Sequence, residues 1–130
     1  MKIITLWQPW ATWIEWDWKS IETRTHNKFI SLKGQTIGIH AGNNYDKNAF
    51  DAAKLFLDPE QIIEHNNTSY PLGCIICTAF VSGVGKLSTY NQSRALIECV
   101  TVRYGLFLTQ ITPIKPIFIK GHQGIWNYNL

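Results

Sequence analysis

Apolar residues in this chain fall into short blocks separated by turn residues. Lys2-Ile-Ile-Thr-Leu-Trp7 is short, β-branched and apolar, which predicts a strand. Pro9 suits the first turn of a helix, where its missing N–H costs nothing. Trp10, Trp13 and Ile14 follow at helical spacing and predict about two turns ending near Glu15 or Trp16. Lys19–Thr25 reads as a strand, whose successive side chains would alternate between two faces. Thr36–Ala41 reads as another, ending at Gly42-Asn43-Asn44. Asp46 is placed to cap a helix running to about Leu57, with Ala49, Ala52, Ala53 and Phe56 on one stripe. Asp58-Pro59-Glu60-Gln61 carries the signature of a capped helix start: Asp58 as cap, Pro59 first, Gln61 as return partner. Cys74–Val81 is continuously apolar, as a buried central strand would be. Ser82–Asn91 is turn-rich. Ser93–Val102 reads as a short helix and Tyr104–Ile111 as a strand. Pro113 and Pro116 bracket a bend, followed by a short strand, Ile117–Ile119.

These blocks amount to five or six short strands and two or three helices. They do not alternate regularly, which argues against a doubly wound parallel sheet. The expected class is α+β: a small, mostly antiparallel β-barrel or curled sheet with short helices packed outside it. There is no internal repeat or linker, so residues 1–130 read as one domain.

Composition narrows the picture. The chain is 45% hydrophobic and 16% charged, enough apolar material for a core. Six tryptophans are unusual at this length; core packing is the expected role of any single one, and a pocket wall or stacking surface would also use an indole. Charge is uneven. Residues 1–65 hold seven Lys/Arg against eight Asp/Glu; residues 66–130 hold five against Glu98 alone. A basic C-terminal half suits an anionic partner such as nucleic acid. No secretory signal is evident at the N-terminus. No apolar run approaches the roughly 18 residues of a membrane span. A cytoplasmic protein without membrane contact is the default expectation.

The candidate chemistry centres on Lys19-Ser-Ile-Glu22-Thr-Arg24. On an ideal strand, Glu22 and Arg24 share a face, so the carboxylate can hold the guanidinium towards a phosphate or base edge. Lys19 would point to the opposite face. Other motifs are weaker. Cys74-x-x-Cys77 lies within an apolar strand and has no second pair, so buried inert thiols are expected. Gly83-Val-Gly-Lys86 lacks the glycine and hydroxyl residue of a phosphate loop. No metal set and no cofactor is expected.

Five pieces recur in order: Leu6-Trp-Gln-Pro-Trp-Ala11, Lys19–Arg24, Ile39-His-Ala-Gly42, Pro71-Leu-Gly73 and Lys120-Gly-x-Gln-Gly-Ile-Trp126. Together they resemble an ASCH domain (activating signal cointegrator homology), a module of the PUA-like superfamily, over nearly the whole chain. The resemblance implies a β-barrel with flanking helices and a cleft beside it. It also implies binding of RNA or other single-stranded nucleic acid, including a modified nucleotide. By the same resemblance the cleft is lined by Trp7, Gln8, Lys19, Glu22, Arg24, His40 and Lys120, with Trp126 behind it. The alternative is a small hydrolase acting on modified nucleosides (an amidohydrolase) or on RNA (a ribonuclease). Lys19, Glu22 and His40 would then be its working groups. The amidohydrolase branch has a threonine where this chain has Glu22, and a glutamate on the central strand where this chain reads Cys74-Ile-Ile-Cys77.

Overall fold

The first strand, β1 (Lys2–Gln8), sits inside the sheet rather than at its edge. The computed structural model describes residues 1–99 and 101–130. β1 leads into α1 (Trp10–Glu15), whose Ala11, Thr12, Trp13 and Ile14 are buried. Asp17, with φ +62°, turns the chain back. The N–H groups of Trp18 and Lys19 then both donate to the Trp13 carbonyl, at 2.9 and 3.0 Å. β2 (Ile21–Arg24) follows, then a 3₁₀ turn (Lys28–Leu32) and β3 (Thr36–Tyr45).

Two short helices cross next: α2 (Ala49–Ala53), extended by a 3₁₀ turn through Phe56, and α3 (Pro59–Asn66). At α3 the Asp58 carboxylate accepts from Gln61 N–H at 2.8 Å, and the Gln61 side chain accepts from Asp58 N–H at 2.9 Å. Such a reciprocal cap satisfies two backbone donors that a helix start otherwise leaves open. The long strand β4 (Cys74–Lys86), α4 (Gln92–Ala95), β5 (Tyr104–Phe118) and β6 (Ile125–Asn127) complete the chain.

The six strands form one open sheet in the order β2-β5-β4-β3-β1-β6. Four of the five pairings are antiparallel; β1 and β3 run parallel, Ile3 beside Gly38 and Thr5 beside His40. The expected barrel is therefore corrected to an open mixed sheet, with β2 and β6 at its two edges.

Other boundaries also shift. β4 runs five residues past Val81, and β5 passes straight through Pro113 and Pro116. β2 pairs only with Tyr104–Phe107, so the later half of β5 has β4 on one side alone. A strand edge without a second neighbour tolerates residues that lack an N–H. Asp46 does not cap α2, which starts three residues later. The predicted helix over Ser93–Val102 is the single turn of α4, ended by Leu96 at φ +58°; Val100 lies outside the described residues.

The main core is the sheet face built from Ile4, Leu6, Ile37, Ile39, Ile76 and Leu108, closed by Ile14 and Leu32. Cys74 and Cys77 are buried in it as free thiols. Burial pushes the Cys77 thiol up to about 12, the mark of an inert cysteine. A second cluster packs Trp13 with Ala49, Ala53, Leu57 and Leu96, flanked by Trp10, Trp16, Trp18 and Tyr70. A third joins Ile3, Ile75 and Trp126. Five of the six tryptophans thus take part in packing. Trp7 is the exception at 54% exposed.

Candidate nucleic-acid interface

Lys19 is 1% exposed, an unusual place for an ammonium. Its Nζ donates to the Ala95 carbonyl at 2.6 Å, lies 4.9 Å from the centre of the Trp10 ring, and stands 3.8 Å from Glu22 Oε1. The other Glu22 oxygen meets Arg24 Nη1 at 2.9 Å, and the Arg24 guanidinium lies 5.1 Å above Phe29. Burial pushes the Lys19 amine down to about 8. Glu22 resists that fall, while Arg24 and Arg103 add to it. Strand alternation had placed Lys19 on the face opposite Glu22. The structure brings them together because β2 begins only at Ile21, and Lys19 still belongs to the turn bonded to Trp13.

These groups line a cleft of about 410 Å³ that also includes Trp7, Trp10, Asp46 and Arg103. Trp10 is fixed by its indole N–H, which donates to Asp46 Oδ2 at 2.9 Å, while Asp46 Oδ1 accepts from Asn48 N–H. Among the described residues the buried Arg103 Nε has no hydrogen-bond partner, and Arg103 lines the cleft. The lining holds three cations against two carboxylates.

A second cleft, of about 640 Å³, adjoins the first and shares Thr5, Trp7 and Arg24 with it. It adds His26, Lys28, Lys120 and His122, and no carboxylate lines it. His40 stands in its wall, held on both sides. Its Nε2 lies 2.7 Å from the Ile119 carbonyl, which can only accept, so this nitrogen carries the proton. Nδ1 then accepts from the Thr5 hydroxyl at 3.2 Å, and that oxygen accepts from the Trp126 indole N–H at 3.0 Å. Burial pushes His40 below the usual histidine range, and neighbouring His122 adds to this; the Ile119 carbonyl opposes it. Both ring nitrogens are thus engaged inside the protein.

The expected site residues divide between the two clefts. Trp7 and Arg24 line both; Lys19 and Glu22 line the first; His40 and Lys120 line the second. Lys19 and His40 therefore do not share a cleft. Trp126 packs behind His40, their ring centres 5.4 Å apart. Gln8 lines neither cleft, contrary to its expected role at a base edge. It is fully buried, and its amide is consumed by the Thr12 hydroxyl, the Thr12 N–H and the Pro71 carbonyl. Trp10, Asp46, Arg103, Lys28 and His26 were not foreseen. Trp10 lies inside the Leu6–Ala11 motif, and Asp46 reads in sequence as a helix cap. Arg103 carried no local signal.

No protein-family model matches the chain, and no curated protein matches it in sequence. Its fold does match solved structures. An ASCH protein from Zymomonas mobilis superposes with a TM-score of 0.58 at 16% identity, over 90% of this chain and 72% of its own. A single-residue variant of that protein matches with a TM-score of 0.57 at 17% identity, over 91% and 73%. At this identity the shared property is the ASCH fold. Among the described residues, no three His, Cys, Asp or Glu side chains are grouped to hold a metal ion, and no helix is long and apolar enough to cross a membrane.

Proposed function

We propose that this chain is a nucleic-acid-binding module of the ASCH type that takes single-stranded RNA, or a strand carrying a modified nucleotide, into its paired clefts. The observation that carries this reading is the position of Trp7. The one strongly exposed indole stands where two cation-lined clefts meet. An exposed indole can stack an unstacked base, and the surrounding cations suit the phosphates attached to it. Intact duplex keeps its bases stacked and offers nothing to such a platform.

The test is a titration of short single-stranded RNA against wild type and an Arg24→Ala, Lys120→Ala double variant at several salt concentrations. Each phosphate contact on a single strand contributes about 0.7 to the slope of log affinity against log salt, so the variant's slope should fall by about 1.4. Unchanged affinity and slope would remove the reading.

A second reading rests on Lys19. A buried amine pushed down to about 8, beside a carboxylate, could act as a base or nucleophile in a small hydrolase of modified nucleosides. Turnover of an acylated nucleoside by wild type, lost in Lys19→Ala, would support it.

A further inference from the structure

The two clefts differ in what they are equipped to hold. The smaller has indole walls at Trp7 and Trp10 and a nearly balanced set of charged groups in fixed places. An aromatic wall with a few placed donors and acceptors suits a flat polar heterocycle. The larger cleft is lined by Arg24, Lys28 and Lys120, with the histidines His26, His40 and His122, and no carboxylate is in its lining. Lys28 and Lys120 are exposed, so their charges face solvent, and among the described residues neither is held in an ion pair. That lining suits a phosphate chain and offers little to a base.

Arg24 stands at the junction. Glu22 holds one of its nitrogens from the side of the first cleft, and Phe29, which lines the second, lies beneath its plane. Its position is therefore set by groups from both clefts, and its remaining N–H donors stay available at their common wall. Trp7 is the other shared wall. A ligand leaving the first cleft past these two residues enters the second directly.

We infer that the clefts divide a single ligand: the Lys19 cleft receives one unstacked nucleobase, and the Lys28–Lys120 cleft receives the phosphodiester chain attached to it. The inference rests on the nucleic-acid reading above and specifies its ligand. The ligand is an oligonucleotide with at least one phosphodiester beyond the captured base; a free nucleoside would fill only half of the site.

The experiment uses two RNA hexamers, one with all bases and one fully abasic with the same phosphates. Each is titrated against wild type and a Lys28→Ala, Lys120→Ala double variant over a range of salt. Both lysines are exposed, and circular dichroism and thermal unfolding confirm that the variant folds. In wild type the base-containing strand should bind more tightly by about tenfold, in line with the loss of aromatic stacking. In the variant both strands should weaken, with the salt slope reduced by about 1.4, while the roughly tenfold preference for bases persists. Loss of that preference together with the slope would overturn the division, because one undivided site would then serve both parts. An unchanged slope would place the phosphates elsewhere and overturn it too. Failure of wild type to bind either hexamer would overturn both the division and the reading on which it rests.

Discussion

The ammonium of Lys19 donates to the carbonyl of Ala95 at 2.6 Å, joining the turn before β2 to the end of α4 across 76 positions. The bond fixes a buried charge in the wall of the first cleft. Replacing Lys19 by Met leaves that carbonyl buried without a donor. The variant should lose about 1–3 kcal/mol of stability at neutral pH.

The same lysine predicts a pH dependence of definite sign. Its amine titrates at about 8 in the folded protein and near 10.4 in an unfolded chain. Between those values the unfolded chain binds more protons, so stability from this group rises with pH. Below about pH 8 both states are protonated and the dependence vanishes. Wild type should therefore gain on Lys19→Met between pH 8 and pH 10 in urea unfolding. A difference that stays flat across that window would show that Lys19 titrates normally.

Glu22 is the counter-charge for both neighbouring cations. Glu22→Gln should cost about 1.5–3 kcal/mol, as expected for a lost hydrogen bond to a charged group. It should also move the Lys19 titration further below 8, because Glu22 is what resists the downward shift. Side-chain NMR of the lysine amine reads this directly. An upward movement would mean that Glu22 does not act on Lys19.

Gly121 and Gly85 should respond differently to alanine. A Cβ at Gly121 would lie 2.5 Å from His40 Cε1 and 2.8 Å from Thr5 Oγ1, inside the network that holds the second cleft's wall. Gly121→Ala should destabilise by about 1–3 kcal/mol through overpacking and weaken binding, since Lys120 and His122 flank it. A Cβ at Gly85 meets nothing within 4 Å, and Gly85→Ala should stay within about 0.5 kcal/mol of wild type. Thermal unfolding of the pair checks both.

Much of this arrangement could be read from local pattern. The strand over residues 2–7, the helix after Pro9 and the Asp58–Gln61 cap each depend on neighbours a few positions away, and each forms as expected. Long-range effects were hidden. Pro113 and Pro116 look like strand breakers until β2 is seen to begin only at Ile21, opposite Phe107, leaving the later part of β5 without a second neighbour. Lys19 and Glu22 share a cleft because a turn bonded to Trp13 delays the strand, which alternation cannot show. Gln8 resembles a ligand contact in sequence, yet Thr12 and Pro71, the latter 63 positions away, consume its amide. Arg103 enters the first cleft only through the packing of β5 against β2.

Trp7 offers a test that separates binding from folding. It is 54% exposed and lies outside the three packed clusters. Trp7→Ala should leave the melting temperature nearly unchanged and cost about 1–3 kcal/mol of affinity for single-stranded RNA. A large loss of stability with unaltered affinity would reverse its assignment from platform to packing.

The most direct measurement is a comparison of wild-type binding to a short single-stranded RNA and to the same sequence in duplex form, each at low and physiological salt, with the strands analysed afterwards. The expected result is preference for the single strand, affinity that falls as salt rises, and strands recovered intact. Equal affinity for duplex, or no binding at low salt, would contradict it.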